Sequence, residues 1–382
     1  MERTADVAIA GLGAMGSASA RALARRGHAV VGFDRFAPPH ALGSSHGRSR
    51  IIREAYFEHP AYVPLVRHAY RLWEELERES GERLLLRTGG LMIGPPEGTL
   101  VRGALASARA HGLAYEQLDS AGIARRVPVM RPASDMVGVW EPDAGVLFPE
   151  TAISASLASA RRHGAALHVD EPVIAWRADD DGVEVRTARG VYHAGHLVLA
   201  AGAWLPALAP GLPLAVERVA LFWFEPAGGS GGFDPARFPV FILEHARDRF
   251  IYGFPRLDGA VKIARHHEGD ATDPDRPRHG VSPDEVESMR GLFRPFLPGA
   301  DGPLRETAVC LYTNTPDGHF VIGPDPRHPT ITLVSACSGH GFKFAPAIGE
   351  IVADLVTGGA TRWDLGLFSP ARFGAAATPG GA

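Results

Sequence analysis

Residues 6–16 read DVAIAGLGAMG, a short apolar run that leads into a turn with three glycines. The apolar run predicts a buried parallel strand, and the small and apolar residues after it predict a helix. Gly11, Gly13 and Gly16 let the backbone turn tightly and approach a pyrophosphate at the start of that helix. Asp34 ends the next apolar run, where a carboxylate can accept hydrogen bonds from ribose hydroxyls. The stretch predicts a dinucleotide-binding β-α-β unit, and it fits NAD and FAD equally well.

The length and composition indicate a globular protein of two domains. The chain has 382 residues, of which 45% are apolar and 21% are charged, and these fractions are typical of soluble proteins. A chain of this length usually folds into two domains, with a cleft between them as the expected site. The formal net charge of -4, with both signs interspersed, provides no basic stripe for a phosphate backbone. This argues against nucleic acid as a partner.

Two further features concern the cellular compartment. The N-terminus lacks the features of a secretory signal, and no apolar run approaches the length that crosses a membrane. We therefore expect a cytoplasmic protein with no membrane partner. Cys310 and Cys337 are the two cysteines, and in a reducing compartment both are expected to remain free thiols. Nothing in the sequence predicts a metal site.

Secondary-structure signals along the chain alternate between two kinds of pattern. Residues 62–80 predict a long amphipathic helix that ends at Gly81, and residues 171–204 predict strands joined by Asp-Gly and Arg-Gly turns. Between about residues 210 and 305, aromatic strands interrupted by prolines indicate a second domain. A strand, a glycine turn and a helix then return in residues 330–359. The first domain is therefore predicted to be discontinuous.

The segment GSSHGRSRIIREAY, residues 43–56, concentrates cationic side chains. A solvated basic loop is the usual interpretation of such a charge run. The glycines, together with apolar Ile51 and Ile52, instead suggest partial burial against an anionic group. Cys310 lies in a predicted strand, and by spacing alone it is more typical of a small buried apolar residue. The cationic or titratable residues of the segment are His46, Arg48, Arg50 and Arg53.

The 39 lysine and arginine residues include only two lysines, Lys262 and Lys343. A composition that favours arginine leaves a few lysines at arbitrary positions, so either residue could be such a remnant. A compact ammonium group, however, approaches a small developing negative charge more closely than a broad guanidinium does. These two positions are therefore candidates for a site that needs a point charge.

Five blocks of sequence, taken together, resemble a known family. GLGAMGSA, GSSHGRSRIIR, YGFP, CLYTNTPDGHFVIG and SGHGFKF occur in this order, and they are similar to the monomeric sarcosine oxidase and N-methyltryptophan oxidase family of flavoenzymes. The blocks extend from the N-terminus almost to residue 360. The resemblance implies FAD as cofactor, attached through its 8α-methyl carbon to the sulfur of Cys310.

The fold that we predict on this basis is mixed α/β. A Rossmann-like FAD-binding domain of the glutathione-reductase type is joined to a substrate domain with an antiparallel or mixed sheet. The predicted segments of the FAD-binding domain are residues 1–85, 151–212 and 305–374. Those of the substrate domain are residues 86–150 and 213–304. Residues 375–382, rich in glycine and alanine, are predicted to be disordered.

The resemblance also implies roles for individual residues. Arg53 and Lys343 would hold the substrate carboxylate, and Tyr252 and Tyr312 would lie beside them. Lys262 would activate oxygen next to the flavin ring. The remaining predicted catalytic residues around the ring are Arg50, His46 and His266. The predicted cofactor-binding residues are Gly11, Gly13, Ala14, Met15, Gly16, Asp34, Arg35, Gly43, Ser44, Ser49, Val173, Gly202, Cys310, Gly339, Gly341 and Phe342.

The expected activity is oxidation of a secondary amino acid, N-methylated or cyclic. Its amine would become an imine that hydrolyses in water, and O2 would become H2O2. We expect a monomer that needs only a small-molecule amine and O2. Ser45, Arg48 and Glu54 differ from the residues common in the family, which leaves the shape of the substrate entrance open. Two alternatives are a flavin dehydrogenase or demethylase of a larger secondary-metabolite amine, and a flavin-carrying subunit of a heteromeric complex.

Overall fold

The computed structural model describes residues 5–227 and 231–374, and the predicted tail at 375–382 lies outside them. The described residues form eight α-helices and twenty β-strands. The helices are α1 (Ala14–Arg25), α2 (Tyr62–Ser80), α3 (Thr99–His111), α4 (Ser120–Arg126), α5 (Pro149–Arg162), α6 (Leu205–Leu208), α7 (Pro283–Phe293) and α8 (Ala345–Gly358). The strands are β1 (Ala5–Ala10), β2 (Val30–Phe33), β3 (Arg50–Ile52), β4 (Leu85–Arg87), β5 (Gly90–Gly94), β6 (Glu116–Asp119), β7 (Val137–Glu141), β8 (Gly145–Leu147), β9 (Ala166–His168), β10 (Val173–Asp179), β11 (Gly182–Thr187), β12 (Val191–Leu199), β13 (Ala215–Phe224), β14 (Val240–Ala246), β15 (Arg249–Gly253), β16 (Val261–His266), β17 (Asp270–Ala271), β18 (Leu304–Asn314), β19 (Val321–Asp325) and β20 (His328–Ser335).

The first large sheet has a parallel centre. β1 lies between β12 and β2 and is parallel to both, while β9 and β20 extend the parallel pairing on either side. The predicted strands between residues 171 and 204 are β10, β11 and β12, which pair in antiparallel fashion with turns at the Asp-Gly and Arg-Gly positions. This sheet has eight strands in all, and β19 completes it by pairing with β20. The predicted β-α-β unit is confirmed.

Gly11 and Gly16 explain why β1 and α1 can be joined so tightly. Gly11 has a φ of +94°, a backbone conformation that favours glycine. A β-carbon at Gly16 would lie 1.7 Å from the carbonyl oxygen of Gly11. Any side chain at Gly16 would therefore force α1 away from the turn and change the start of the helix.

The second large sheet has nine strands and is mainly antiparallel. Its order is β17, β13, β16, β15, β14, β5, β7 and β6, with β18 pairing along β13. β14 and β5 are its parallel pair. β18 pairs with β13 along most of its length. The predicted domain boundaries, which place residues 305–374 in the FAD-binding domain, remain predictions. A third, small sheet joins β3, β8 and β4.

Helices cover the two large sheets and provide the cores. α1 packs against α5 and α8, and the long α2 also packs against α8. The predicted end of α2 is confirmed, because Gly81 is left-handed and donates its N–H to the carbonyl of Glu77. A second core forms where α4 and α7 pack on the nine-stranded sheet. Within the described residues, no helix has both the length and the apolar character needed to span a membrane.

Candidate active site

A cavity of about 340 Å³ lies between the two large sheets. We call the part around Gly11, Gly13 and Asp34 the glycine end, and the part around Arg50, Arg53 and Lys343 the cationic end. Most residues predicted for the site line this cavity. They are Gly11, Gly13, Ala14, Met15, Asp34, Arg35, Gly43, Ser44, Arg50, Arg53, Val173, Gly202, Tyr252, His266, Cys310, Tyr312, Gly339, Gly341, Phe342 and Lys343.

Backbone groups dominate the glycine end. Helix α1 begins without a side-chain cap and without an acidic residue in its first turn. Its first N–H groups therefore remain available to an anion, and the helix dipole favours a negative charge there. A β-carbon on Gly13 would find its nearest neighbour, Ser45 Oγ, only at 4.0 Å. The backbone at Gly13 is thus open to a close-lying group.

Asp34 holds the glycine turn in shape. Its Oδ2 accepts a hydrogen bond from the Leu12 N–H at 2.7 Å, and its Oδ1 accepts one from the Phe36 N–H at 2.9 Å. A carboxylate oxygen can accept more than one hydrogen bond, so Asp34 retains capacity for hydroxyl donors. The donor set at this end, uncapped helix N–H groups and a neighbouring carboxylate, fits the pyrophosphate and ribose of a dinucleotide.

Cys310 and Arg50 both line the cavity and contact each other. Arg50 Nη2 lies 3.6 Å from Cys310 Sγ and donates to the carbonyl oxygen of Ser44 at 2.7 Å. The Cys310 thiol donates to the same carbonyl at 3.4 Å. Burial raises the pKa of Cys310, and the charge of Arg50 acts in the opposite direction. Cys310 is therefore a neutral thiol beside a cation that would stabilise its thiolate.

Arg53 forms a buried ion pair with Glu58, and Lys343 adds a second buried positive charge that acts on the same carboxylate. Arg53 Nη2 lies 2.7 Å from each carboxylate oxygen of Glu58. Burial acts to lower the pKa of Arg53, but the charge and hydrogen bonds of Glu58, together with Tyr56 and Glu141, outweigh burial and raise that pKa. Burial and the neighbouring Arg53 lower the pKa of Lys343 to about 7, and Glu58 opposes this shift. The cationic end is therefore built to hold an anion.

A chain of hydrogen bonds fixes the Lys343 side chain. Its Nζ donates to the His340 carbonyl at 2.6 Å and to Tyr56 Oη at 3.3 Å. Burial lowers the pKa of His340 to about 3, so its ring is neutral. His340 Nε2 lies 3.0 Å from the carbonyl of Gly318 and must donate to it. His340 Nδ1 is then the acceptor for Tyr56 Oη at 2.6 Å.

Tyr252, Tyr312 and His266 form the wall that the nine-stranded sheet contributes. Burial raises the pKa of both tyrosines. Burial also lowers the pKa of His266 well below its ordinary value, which keeps the ring neutral. Gly339 makes room for this wall, since a β-carbon there would lie 2.6 Å from the Tyr312 ring.

Lys262 is not among the cavity-lining residues. Its side chain is buried, and its Nζ donates to the carbonyl oxygens of Gly47 at 2.8 Å and Ser49 at 3.0 Å, and to Ser49 Oγ at 3.2 Å. The same Nζ lies 4.7 Å from the centre of the Phe254 ring, which does line the cavity. Burial lowers the pKa of Lys262 well below its ordinary value. Lys262 and Ser49 therefore do not line the cavity, but Lys262 contacts a residue that does.

His46 and Gly16 also lie outside the lining. His46 is buried, and its Nε2 has no hydrogen-bond partner among the described residues. Burial, together with Arg50 and Lys262, lowers the pKa of His46 to about 4. A neutral imidazole with one free nitrogen beside the cavity can bind a further polar group. Arg48 points away from the cavity and forms an ion pair with Glu306.

Sequence reasoning missed four residues of the cationic end. Glu58, Tyr56 and His340 contact the predicted arginine or lysine directly. Glu141 holds the backbone beside Arg53, because its carboxylate accepts hydrogen bonds from the N–H groups of Glu54 and Ala55 at 2.5 and 2.8 Å. Glu141 comes from β7, far along the chain, and no local pattern marks it. Glu58 could have been suspected as a carboxylate close in sequence to Arg53.

The glycine end, the long cavity and the cationic end define a dinucleotide-dependent oxidoreductase with a site for a small anionic substrate. Comparison with known proteins narrows this class. The family model described as FAD dependent oxidoreductase matches residues 6–355. The chain belongs to this family, and the predicted cofactor FAD is confirmed.

Similar proteins carry the names that the sequence blocks indicated. The chain is 44% identical to monomeric sarcosine oxidase of Streptomyces avermitilis, over 98% of this chain and 100% of that protein. It is 37% identical to N-methyl-L-tryptophan oxidase of Salmonella typhimurium, over 96% and 99% of the two chains. Among solved structures, NikD, an amino acid oxidase essential for nikkomycin biosynthesis, superposes with a TM-score of 0.84 at 27% identity, over 97% and 98% of the chains. The predicted resemblance and the mixed α/β fold are confirmed.

Proposed function

We propose that the protein is an FAD-dependent oxidase of secondary amino acids, N-methylated or cyclic. One observation carries the proposal: Arg53 and Lys343 are buried side chains in the lining of one cavity, where Arg53 pairs with Glu58 and the charges of both cations act to lower the pKa of that carboxylate. A buried pair of cations requires an anionic partner. The names of the similar oxidases point to an amino acid as that partner. Bound FAD would supply the acceptor for a hydride from the carbon next to the amine, and O2 would take up the electrons.

The substrate carboxylate would take the place of Glu58 beside Arg53 and would also interact with Lys343. Arg53 offers a planar fork and Lys343 a point charge from another direction. Tyr56 and His340 hold Lys343 in place, so the carboxylate would be fixed at two points. Fixing a small substrate in this way brings the reacting C–H bond into one orientation and lowers the entropic cost of reaction. The neutral His266 and the tyrosine wall then face the amine side.

Lys262 is proposed to assist the oxygen half of the reaction. A positive charge near the place where oxygen is reduced stabilises the negative charge that develops there. Gly47 and Ser49 orient the ammonium group from behind. Besides burial, three charged groups act on this ammonium group, since Arg50 and Arg48 lower its pKa and Glu150 raises it.

Cys310 is proposed as the point of covalent attachment. Formation of the thioether would replace the S–H bond and one C–H bond of the 8α-methyl group by a C–S bond, and O2 would remove the two electrons as H2O2. Arg50 lies where it would stabilise the thiolate for this step. Protein precipitated with acid should keep the yellow colour in the pellet, while Cys310→Ser should release it. A colourless pellet from the unaltered protein would contradict the attachment.

Release of H2O2 by the purified chain tests the proposed function. We expect about one H2O2 per amine oxidised when N-methyl and cyclic amino acids are screened, and no reaction with the matching amines that lack a carboxylate. Turnover that needs an added dye and yields no H2O2 would identify a dehydrogenase. No turnover of any amine by the chain alone would favour a subunit of a larger complex. A monomer in the cytoplasm remains our prediction.

A further inference from the structure

The turn at residues 47–49 is unusual because it closes on itself while it binds Lys262. The Ser49 N–H donates to the carbonyl of Gly47 at 2.8 Å, two residues earlier. Arg48, between them, has a φ of 64°. This combination is a γ-turn with a positive φ at its centre, which is rare and strained for a residue with a side chain.

The strained turn presents its oxygens to a single ammonium group. The carbonyls on either side of Arg48, those of Gly47 and Ser49, both accept hydrogen bonds from Lys262 Nζ, and Ser49 Oγ accepts the third. An ammonium group has three donors, so these three acceptors use all of them. The conformation of Arg48 therefore decides where the Lys262 charge sits.

Arg48 is held in this conformation from three directions. Its backbone N–H donates to Glu150 Oε1 at 3.0 Å, and its guanidinium group pairs with Glu306. The guanidinium carbon also lies 5.4 Å from the centre of the Trp223 ring. Trp223 is the strand neighbour of Lys262 on β16 and of Glu306 on β18. The contacts that hold Arg48 thus arise from the strands that carry and flank Lys262.

We propose that Arg48 is a positioning residue for Lys262. Its contacts with Glu306 and Glu150 hold the strained γ-turn, and the oxygens of this turn fix the ammonium group of Lys262. Arg48 acts through Lys262 and does not itself reach the cavity. The inference rests on the proposed role of Lys262 in the oxygen half-reaction. It also assigns a role to Arg48, a position at which this chain differs from the family that its sequence resembles.

Arg48→Ala and Arg48→Gly form a matched pair for testing this device. Both remove the guanidinium group and its charge, so they differ only in the ease with which residue 48 adopts a positive φ. We expect reoxidation by O2 to slow roughly tenfold in Arg48→Ala and clearly less in Arg48→Gly. Anaerobic reduction by substrate should be unchanged in both. Arg305→Ala, which removes a neighbouring arginine of β18 that bonds to Asp258, serves as the control.

A second readout does not depend on activity. The chain has only two lysines, so selective 13C labelling of the lysine ε-carbons gives two signals, which Lys343→Met assigns. We expect the Lys262 signal to titrate at lower pH in Arg48→Ala than in Arg48→Gly, because the oxygens that favour the charged form are displaced. Identical titration and identical reoxidation in the two variants would overturn the inference. If Lys262→Met left reoxidation unchanged, the proposed role of Lys262 would fail, while the titration would still decide whether Arg48 positions it.

Discussion

The two ends of the cavity are built on different principles. The glycine end uses backbone groups from one short stretch of chain, residues 11–34, and its geometry follows from local turns. The cationic end collects side chains that are far apart in sequence, such as Arg53 and Lys343, and it must offset the cost of burying their charges. The comparison shows that a backbone site is preformed, whereas a site made of buried charges needs an ion to complete it.

The partners of the polar groups illustrate the same difference. At the glycine end, Asp34 is bound to backbone N–H groups that no ligand replaces. At the cationic end, Arg53 is bound to Glu58, a side chain that a ligand carboxylate could displace. We therefore expect substitutions at the glycine end to affect folding and FAD together, and those at the cationic end to affect substrate binding alone.

Gly16→Ala should have the largest effect. Its β-carbon would overlap the Gly11 carbonyl oxygen, and the resulting shift of α1 costs about 3 kcal/mol of folding free energy. The expected result is a lower midpoint of thermal unfolding and loss of bound flavin absorbance. Gly291→Ala is the control, because nothing lies within 4 Å of a β-carbon there. Normal flavin content in Gly16→Ala would contradict the assignment of the glycine end as the FAD-binding part of the cavity.

Lys343→Met should weaken substrate binding without changing flavin content. Loss of one partner from a buried, hydrogen-bonded charge pair costs about 2–5 kcal/mol, so the dissociation constant of a carboxylate should rise by orders of magnitude. Binding of acetate, followed by the flavin spectrum, measures this without an amine. Unaltered acetate affinity would show that the anion site lies elsewhere.

The pH dependence of acetate binding is a second test of whether Lys343 binds the carboxylate. The pKa of Lys343 is lowered to about 7, and lysine carries its charge below its pKa. Acetate should therefore bind progressively more weakly as the pH rises through 7, with residual binding from Arg53, which stays charged. Lys343→Met should remove this dependence, and a variant that kept it would assign the titration to another group.

Glu141→Gln should have the smallest effect. Burial raises the pKa of Glu141 to about 7, and its two oxygens hold the Glu54 and Ala55 N–H groups beside Arg53. Glutamine has one acceptor oxygen, so one N–H would face an amide donor, at a cost of about 1 kcal/mol. We expect acetate to bind several-fold more weakly at unchanged flavin content. An effect as large as that of Lys343→Met would mean that Glu141 contacts the ligand directly.

The glycine end could be predicted from sequence because its determinants are local. The strand, the spacing of Gly11, Gly13 and Gly16, and Asp34 all fall within one β-α-β unit. For the cationic end, residues 43–56 suggested burial against an anion and the scarcity of lysine marked Lys343, but the role of each residue came only from the family resemblance. The sequence did not predict the partners of these residues. Glu141 lies on β7, far from Arg53 in sequence, and only the fold brings the two residues close together.

The two lysines provide the most direct test of the whole account, through rapid mixing of Lys262→Met and Lys343→Met with substrate and with O2 separately. We predict that Lys262→Met keeps nearly normal anaerobic flavin reduction but slows reoxidation by about 100-fold. Lys343→Met should show the opposite result, because its substrate binding should be weak while reoxidation by O2 stays normal. Equal loss of both half-reactions in Lys262→Met would contradict the separation of roles that this structure supports.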